Sequence, residues 1–383
     1  MGLRDRLDAT QTDQARKLSL GKIADLLERN GIDPADIGKV HRVNVWQGFY
    51  KDDEGQAHVV DMSGVSLSPS WESGPAWPVI AQAPPVRLAA SKRKPAQSKS
   101  GWLTAVVLPD MQIGYFRNSG EQLEPIHDEA AITLALDVTR DLDPDLVVMV
   151  GDNADFAELS RFRLSPAFQR TTQATLDRCA ILCAQVRAVA PRARIVWLAG
   201  NHEERLPNWI IDNAKAAFGL RQGASPLSWP VMSMPHLCRM DEHGVEYMPG
   251  YPASKVWINE RLQVVHGHKH NSSGVTATKY LGSEKVSTIF GHVHRREYAA
   301  MTRPDWDGGK TIMAATPGCL CRTDGVVPST KGGMDLDGRP IPIQEDWQQG
   351  LAVVHYMPGD NDFVYENVAI HDSWCFYQGR TYR

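Results

Sequence analysis

The chain has 383 residues, 42% of them hydrophobic and 22% charged, a composition that excludes a disordered or fibrous protein and leaves room for a catalytic domain with a smaller partner. Its formal net charge of -4 gives no general basic field for nucleic acid. No apolar run reaches the roughly 20 residues that span a bilayer and Met1 to Lys17 is polar, so a cytoplasmic protein without membrane association is expected, while six cysteines without Cys-x-x-Cys spacing exclude a zinc ribbon and point to reduced thiols.

Ser19 caps a short helix whose Ile23, Leu26 and Leu27 share a face and which Gly31 ends; Asp33 before Pro34 starts a second helical turn. Val43, Val45 and Phe49 lead into Asp52-Asp53-Glu54-Gly55, with Val59 and Val60 beyond, the pattern of a β-hairpin. Residues 1–88 are therefore expected to form a small α+β accessory domain. Its Trp46, Phe49 and Tyr50 could stack on nucleic acid, although core packing is the simpler reading. Residues 89–101, with Lys92, Arg93, Lys94 and Lys99 and no apolar periodicity, read as a basic polar linker.

From Trp102 apolar runs alternate with helical stretches, so 102–383 is expected to be one catalytic domain. Buried strands are expected over Ala105–Leu108, Leu146–Val150 and Ile195–Leu198, separated by helices over Glu129–Asp141 and around Thr175–Ala188. Cys179 and Cys183, four apart in that second helix, are expected in its buried packing. Two more strands, Leu262–Val265 and Val286–Phe290, follow. Leu351–Tyr356 and Phe363–Ile370 are expected to add strands to a second sheet. The Gly- and Asp-rich stretch Thr323–Asp346 has no period and reads as a flexible lid, and Gly318-Cys319-Leu320-Cys321-Arg322 as a loop over the cleft whose thiols pack.

Each of the first five strands ends on metal-type ligands, and in open α/β sheets ligands collect at the carboxyl ends of strands. Asp110 and Gln112, two apart on an extended segment, would point to one side. Asp152 follows Gly151, which allows a sharp turn, and its two oxygens could bridge two cations. Asn201 offers a carbonyl oxygen; His266, His292 and His294 offer imidazole nitrogens. This mixture suits Mn, Fe, Zn or Ni better than Ca. Two such ions roughly 3.5–4 Å apart would hold a water as hydroxide and clamp a phosphate.

The order of these blocks resembles the calcineurin-like metallophosphoesterases, whose pattern is Asp-x-His/Gln, Gly-Asp-x-x-Asp, Gly-Asn-His-Glu/Asp, a single His, then Gly-His-x-His. The resemblance covers about 102–300, and Asp143-Pro144-Asp145 through Ser160-Arg161-Phe162 looks like versions carried by bacteriophages and bacteria. It implies an α/β four-layer sandwich of two mixed β-sheets flanked by helices. It implies one divalent ion at Asp110, Gln112, Asp152 and His294, a second at Asp152, Asn201, His266 and His292, and His202 as general acid with Asp155 orienting its imidazole. Glu203 is read as a brace for the loop. Gln112, where His is commoner, favours a harder ion, so Mn is expected first, with Fe, Zn, Ni or Mg as alternatives. Arg205, His268 and Arg295 are candidate substrate contacts, with His270 beside them. Phe156 stands where Ser/Thr protein phosphatases carry Arg, which disfavours that activity. The expected function is a two-metal phosphodiesterase acting on a nucleotide or nucleic acid; the alternatives are a small-molecule phosphomonoesterase and a non-catalytic, metal-stabilised binding protein.

Overall fold

The computed structural model describes residues 25, 27–29, 37–52 and 54–69 and, from 101 to 383, all but 119, 226–227, 272–273, 306–307, 329–334, 336–340, 342 and 360–361. Ser19 and Gly31, the turn at Asp33-Pro34, the side chains of Trp46, Phe49 and Tyr50, and the linker before 101 lie outside the described residues. The chain divides into two compact units, Met1–Pro78 and Val79–Arg383.

In the first unit, β1 (Ile37–Lys51) pairs antiparallel with β2 (Ala57–Pro69), as the sequence pattern predicts. Asp52 makes the turn. Its Oδ1 accepts from the backbone N–H groups of Glu54 and Gln56 at 3.1 and 2.8 Å, an Asx turn that a short carboxylate forms against its own backbone.

Among the described residues, the second unit holds two large sheets and a two-stranded ribbon. The larger sheet has, among those residues, eight strands in the order β17-β16-β15-β14-β3-β6-β7-β8. Its parallel centre is β3 (Leu103–Leu108), β6 (Leu146–Met149), β7 (Arg194–Leu198) and β8 (Val245–Met248). A two-stranded ribbon of β4 (Tyr115–Arg117) and β5 (Leu123–Pro125) leaves the loop after β3. The smaller sheet runs β12-β13-β11-β10-β9, from β9 (Lys255–Asn259), β10 (Leu262–Val265), β11 (Ser287–Phe290), β12 (Arg296–Asp305) and β13 (Gly308–Pro317).

The tail overturns one expectation. β14 (Gly350–Tyr356) pairs with β3, Ala352 opposite Val107, and β15 (Phe363–His371), β16 (Trp374–Tyr377) and β17 (Arg380–Tyr382) follow it, so the tail extends the first sheet and not the second. β14 is suited to the interior place it takes between β3 and β15. Leu351 and Val353 pack on the helices and Ala352 and Val354 on the other sheet, so it is apolar on both faces and suits an interior position.

The period-2 alternation of the strands builds the layers. Val106, Leu108, Val147, Met149, Ile195 and Trp197 face α1 (Glu129–Leu142) and α2 (Thr172–Val189), where Cys179 and Cys183 are buried as expected. Ala105, Val107, Val148, Val196 and Leu198 face Val256, Val264, Ile289 and Ala315 of the smaller sheet. The far side of that sheet packs Phe290 and Ala314 on Tyr280 and Leu281 of α4 (Thr276–Ser283), with α3 (Arg205–Asn213) lying after β7. The result is helices, sheet, sheet, helix. The ends of the expected lid are anchored: Ile343 N–H donates to Asp324 O at 2.6 Å, Glu345 N–H to Thr323 O at 2.9 Å, and Val326 and Val327 are buried with Cys319 and Cys321. All six thiols are unpaired and buried, and no helix among the described residues is long and apolar enough to cross a membrane.

Candidate metal centre

The carboxyl ends of β3, β6 and β7 from one sheet and of β10 and β11 from the other meet, and the loops leaving them carry Asp110, Gln112, Asp152, Asn201, His266, His292 and His294. The convergence expected from the sequence is thus observed, by different local geometry. Asp110 and Gln112 are not on an extended segment. Asp110, Gln112, Asp152, His292 and His294 have positive φ, 38°, 50°, 48°, 73° and 57°, a region that side-chain-bearing residues seldom occupy and that costs about 1–3 kcal/mol at each. The turns at Asp110 and Gln112 bring the donors inward and send Met111 into the core. Neighbouring glycines make the approach possible: a Cβ on Gly291 would stand 2.5 Å from Asp110 Oδ2, and one on Gly200 would collide with the Asp152 carboxylate.

Asp152 lies at the centre. Its Oδ1 accepts from His202 N–H at 2.8 Å, and its Oδ2 is 3.3 Å from His266 Nε2, 3.4 Å from Gln112 Nε2 and 3.6 Å from His202 Nε2. Burial works against ionisation of Asp152, yet His202 and His266 hold its carboxyl well below the usual range. On one side His294 Nε2 is 3.3 Å from Asp110 Oδ1 and 3.4 Å from Gln112 Nε2. On the other, His266 Nε2 is 3.1 Å from Asn201 Oδ1, and ligand atoms of Asp152, His266 and His292 all lie within 4.8 Å of one another.

Proton accounting shows that this cluster fits cations. His266 Nδ1 is 2.9 Å from Val150 O, which can only accept, so Nδ1 donates and the neutral ring turns a lone pair at Nε2 toward two more acceptors, Asn201 Oδ1 and Asp152 Oδ2. A positive charge at Nε2, either a proton or a metal ion in its place, resolves that conflict; against the pull of burial, Asp152 raises His266 to about 9. Burial and His266 lower His292 to about 4, which keeps it a neutral donor. Asp110 Oδ2, Gln112 Oε1 and His292 Nδ1 are buried without a hydrogen-bond partner. Oxygen and imidazole donors left over in this way suit a divalent transition ion.

His202 sits beside Asp152. Its Nδ1 donates to Asp155 O at 3.1 Å and stands 2.8 Å from Asp155 Oδ1. Arg205 donates from Nη1 to Asp155 O at 2.8 Å and places Nη2 3.2 Å from His202 Nε2. Glu203 is the brace its place in the loop predicts. Its carboxylate accepts from the N–H groups of Asp152, Asn153, Ala154 and Gly200 at 2.8–3.1 Å and from Trp197 Nε1 at 3.2 Å, tying the loop after β6 to the loop after β7. Burial, with Asp152 beside it, pushes its carboxyl up. Glu203→Gln turns an NH2 group toward donors and should lower stability by about 3 kcal/mol, read from urea unfolding; an unchanged midpoint would refute the brace.

The remaining candidate substrate contacts flank the cluster. Arg295 is held by Glu297 Oε1 at 3.1 Å and Asn271 O at 2.8 Å, and His268 is exposed, while His270 meets the His292 ring at 6.4 Å between centroids. Residues distant in sequence complete the surroundings: Trp347 stands edge-on to His294 at 4.1 Å, Cys321 Sγ lies 4.0 Å from His294 Nδ1, and Tyr251 stands edge-on to His266 at 5.6 Å. Only the strand-end residues carry a sequence signal; these neighbours have no spacing that marks them.

The family description "Calcineurin-like phosphoesterase" matches residues 105–296, half of the chain. A search of curated proteins returned no match. Solved structures similar to the chain include that of YfcE, a phosphoesterase from E. coli, at 12% identity and a TM-score of 0.28, covering 70% of this chain and all of that one. With its motif blocks drawn into one cluster of buried oxygen and imidazole donors, the chain belongs to the calcineurin-like phosphoesterases.

Proposed function

We propose that this metal-dependent phosphoesterase is a phosphodiesterase acting on a nucleotide or nucleic-acid substrate. Asp110, Gln112, Asp152 and His294 would hold one divalent ion, and Asp152, Asn201, His266 and His292 the other, with Mn the first candidate. When bound, such a pair polarises the phosphate and activates a water. The observation that carries the reading is the set of buried, partnerless donors beside His202. Asp155 fixes the His202 ring through Nδ1, so Nε2, which accepts from Arg205 Nη2 at 3.2 Å, is the nitrogen that would carry a proton to the departing ester oxygen once substrate displaces that guanidinium.

Charge favours a diester. Asp110 and Asp152 cancel half the charge of two divalent ions, and one anionic nucleophile with a singly charged diester completes the balance, whereas a doubly charged monoester exceeds it. Arg205 and Arg295, the nearby guanidiniums, are engaged by Asp155 and by Glu297 and Asn271. The test is hydrolysis of bis-p-nitrophenyl phosphate and p-nitrophenyl phosphate by metal-stripped protein with and without Mn. Mn-dependent cleavage favouring the diester is expected. Preference for the monoester would replace the reading with a phosphomonoesterase, and metal binding without cleavage of either would favour a binding protein.

A further inference from the structure

Beside Asn201 and Arg205, and continuous with the metal centre through them, lies a cavity of about 850 Å³ between the segment 158–162, one face of α3, and Tyr251. Its volume falls in the upper part of the roughly 300–1,000 Å³ that small-molecule sites occupy, far more than a phosphate group needs. α3 is two-sided. Leu206 and Ile210 point into the core, and Arg205, Asn208, Trp209 and Asp212 recur at the three- and four-residue spacing of a second face, which lines the cavity. Trp209 keeps 40% of its surface exposed and Phe162 67%, so two aromatic side chains border one cavity of mixed polar and apolar lining with much of their surface still open to water.

Location identifies the part of the substrate that would enter. Arg205 lines the cavity while its Nη2 stands 3.2 Å from His202 Nε2, so a group in the cavity is joined to the ester oxygen nearest His202. That is the leaving group. Aromatic rings beside an amide suit a flat heterocycle that stacks on its faces and hydrogen-bonds at its edge. Acidity limits how much nucleic acid could follow. Glu158, Glu204 and Asp212 line the same cavity, outnumbering Arg161 and Arg205, and a chain of phosphates would meet a negative wall.

We infer that this cavity is a leaving-group subsite for a single nucleoside, stacked against Trp209 and Phe162, and that the substrate is a small nucleotide diester rather than polymeric nucleic acid. The inference rests on the phosphodiesterase reading for its place in the reaction, but its binding test does not. Adenosine, which has no phosphate, is titrated calorimetrically into the Mn-loaded full chain and into Trp209→Ala and Phe162→Ala. Both side chains are substantially exposed, so truncation leaves the core intact. Wild type should bind, and each variant should bind about tenfold or more weakly at unchanged metal content. Trp209→Tyr, which keeps a ring, should recover most of the affinity. No adenosine binding by wild type, or equal binding by the variants, overturns the subsite. In parallel, the dinucleoside monophosphate ApA should be cleaved with kcat/KM about tenfold lower in Trp209→Ala, and a ten-residue oligothymidylate should compete no better than ApA; stronger competition would overturn the single-nucleoside limit. Tryptophan-dependent adenosine binding without diester cleavage would uphold the subsite and sink the phosphodiesterase reading alone.

Discussion

Asp152→Asn is expected to lower phosphodiester turnover by about 10³-fold or more and to reduce bound metal, the largest effect of any single change in the site. The substitution keeps the shape of the side chain and removes one anionic oxygen. In the native protein Oδ1 is already used by His202 N–H, and Oδ2 faces His266, Gln112 and His202 at once. An amide has one oxygen for both tasks. If that oxygen keeps the His202 N–H, an NH2 group points into the cluster at the position where a shared carboxylate oxygen would meet both ions; if it turns inward, the N–H loses its acceptor. Either arrangement weakens metal binding. His202 and His266 hold the Asp152 carboxyl far below neutral, so the loss should be the same across pH 6–8, about the range of an ordinary assay. Metal content by mass spectrometry and kcat on bis-p-nitrophenyl phosphate provide the two readings. Full activity would refute the cluster as the centre of the reaction, and lost activity with full metal would remove Asp152 from the ligand set.

What the sequence revealed, and what it hid, follows from the range of the forces involved. Buried strands such as Leu146–Met149 and Ser287–Phe290 announce themselves as short apolar runs, and the polar residues after them mark the sheet edge where ligands collect. Hence the seven candidate ligands could be named without coordinates. Their conformation could not, because the positive φ of Asp110 and Gln112 is imposed by close packing against distant segments, including Leu320, whose N–H donates to Asp110 O at 3.2 Å. Nor could the placement of the tail: an apolar strand fits the interior of either sheet, and only the pairing of β14 with β3 decides between them. The partners of Arg295 were hidden for a similar reason. Proximity to His294 and His266 in sequence says where the backbone lies, while Glu297 and Asn271 decide where the guanidinium goes. Trp347, Cys321 and Tyr251 reach the metal-site histidines from far along the chain, and no periodicity encodes that.

His202→Ala separates proton delivery from metal binding. Turnover on an alkyl or nucleoside diester is expected to fall by about 10²-fold or more, the range for removal of a positioned general acid, with metal content near that of the wild type. Metal should survive because the bond from His202 to Asp152 Oδ1 is made by the backbone N–H, which alanine keeps, and because Glu203 independently holds the loop on both sides. The imidazole contributes differently: Asp155 secures Nδ1, so Nε2 is the nitrogen that can meet the ester oxygen, where Arg205 stands at 3.2 Å. The dependence on leaving group is the decisive part. p-Nitrophenolate departs without a proton, so the variant should lose much less on bis-p-nitrophenyl phosphate than on ApA, whose departing alkoxide requires one. Equal losses on both esters would mean that His202 binds the phosphate group itself, and a parallel loss of metal would mean that it is part of the cage.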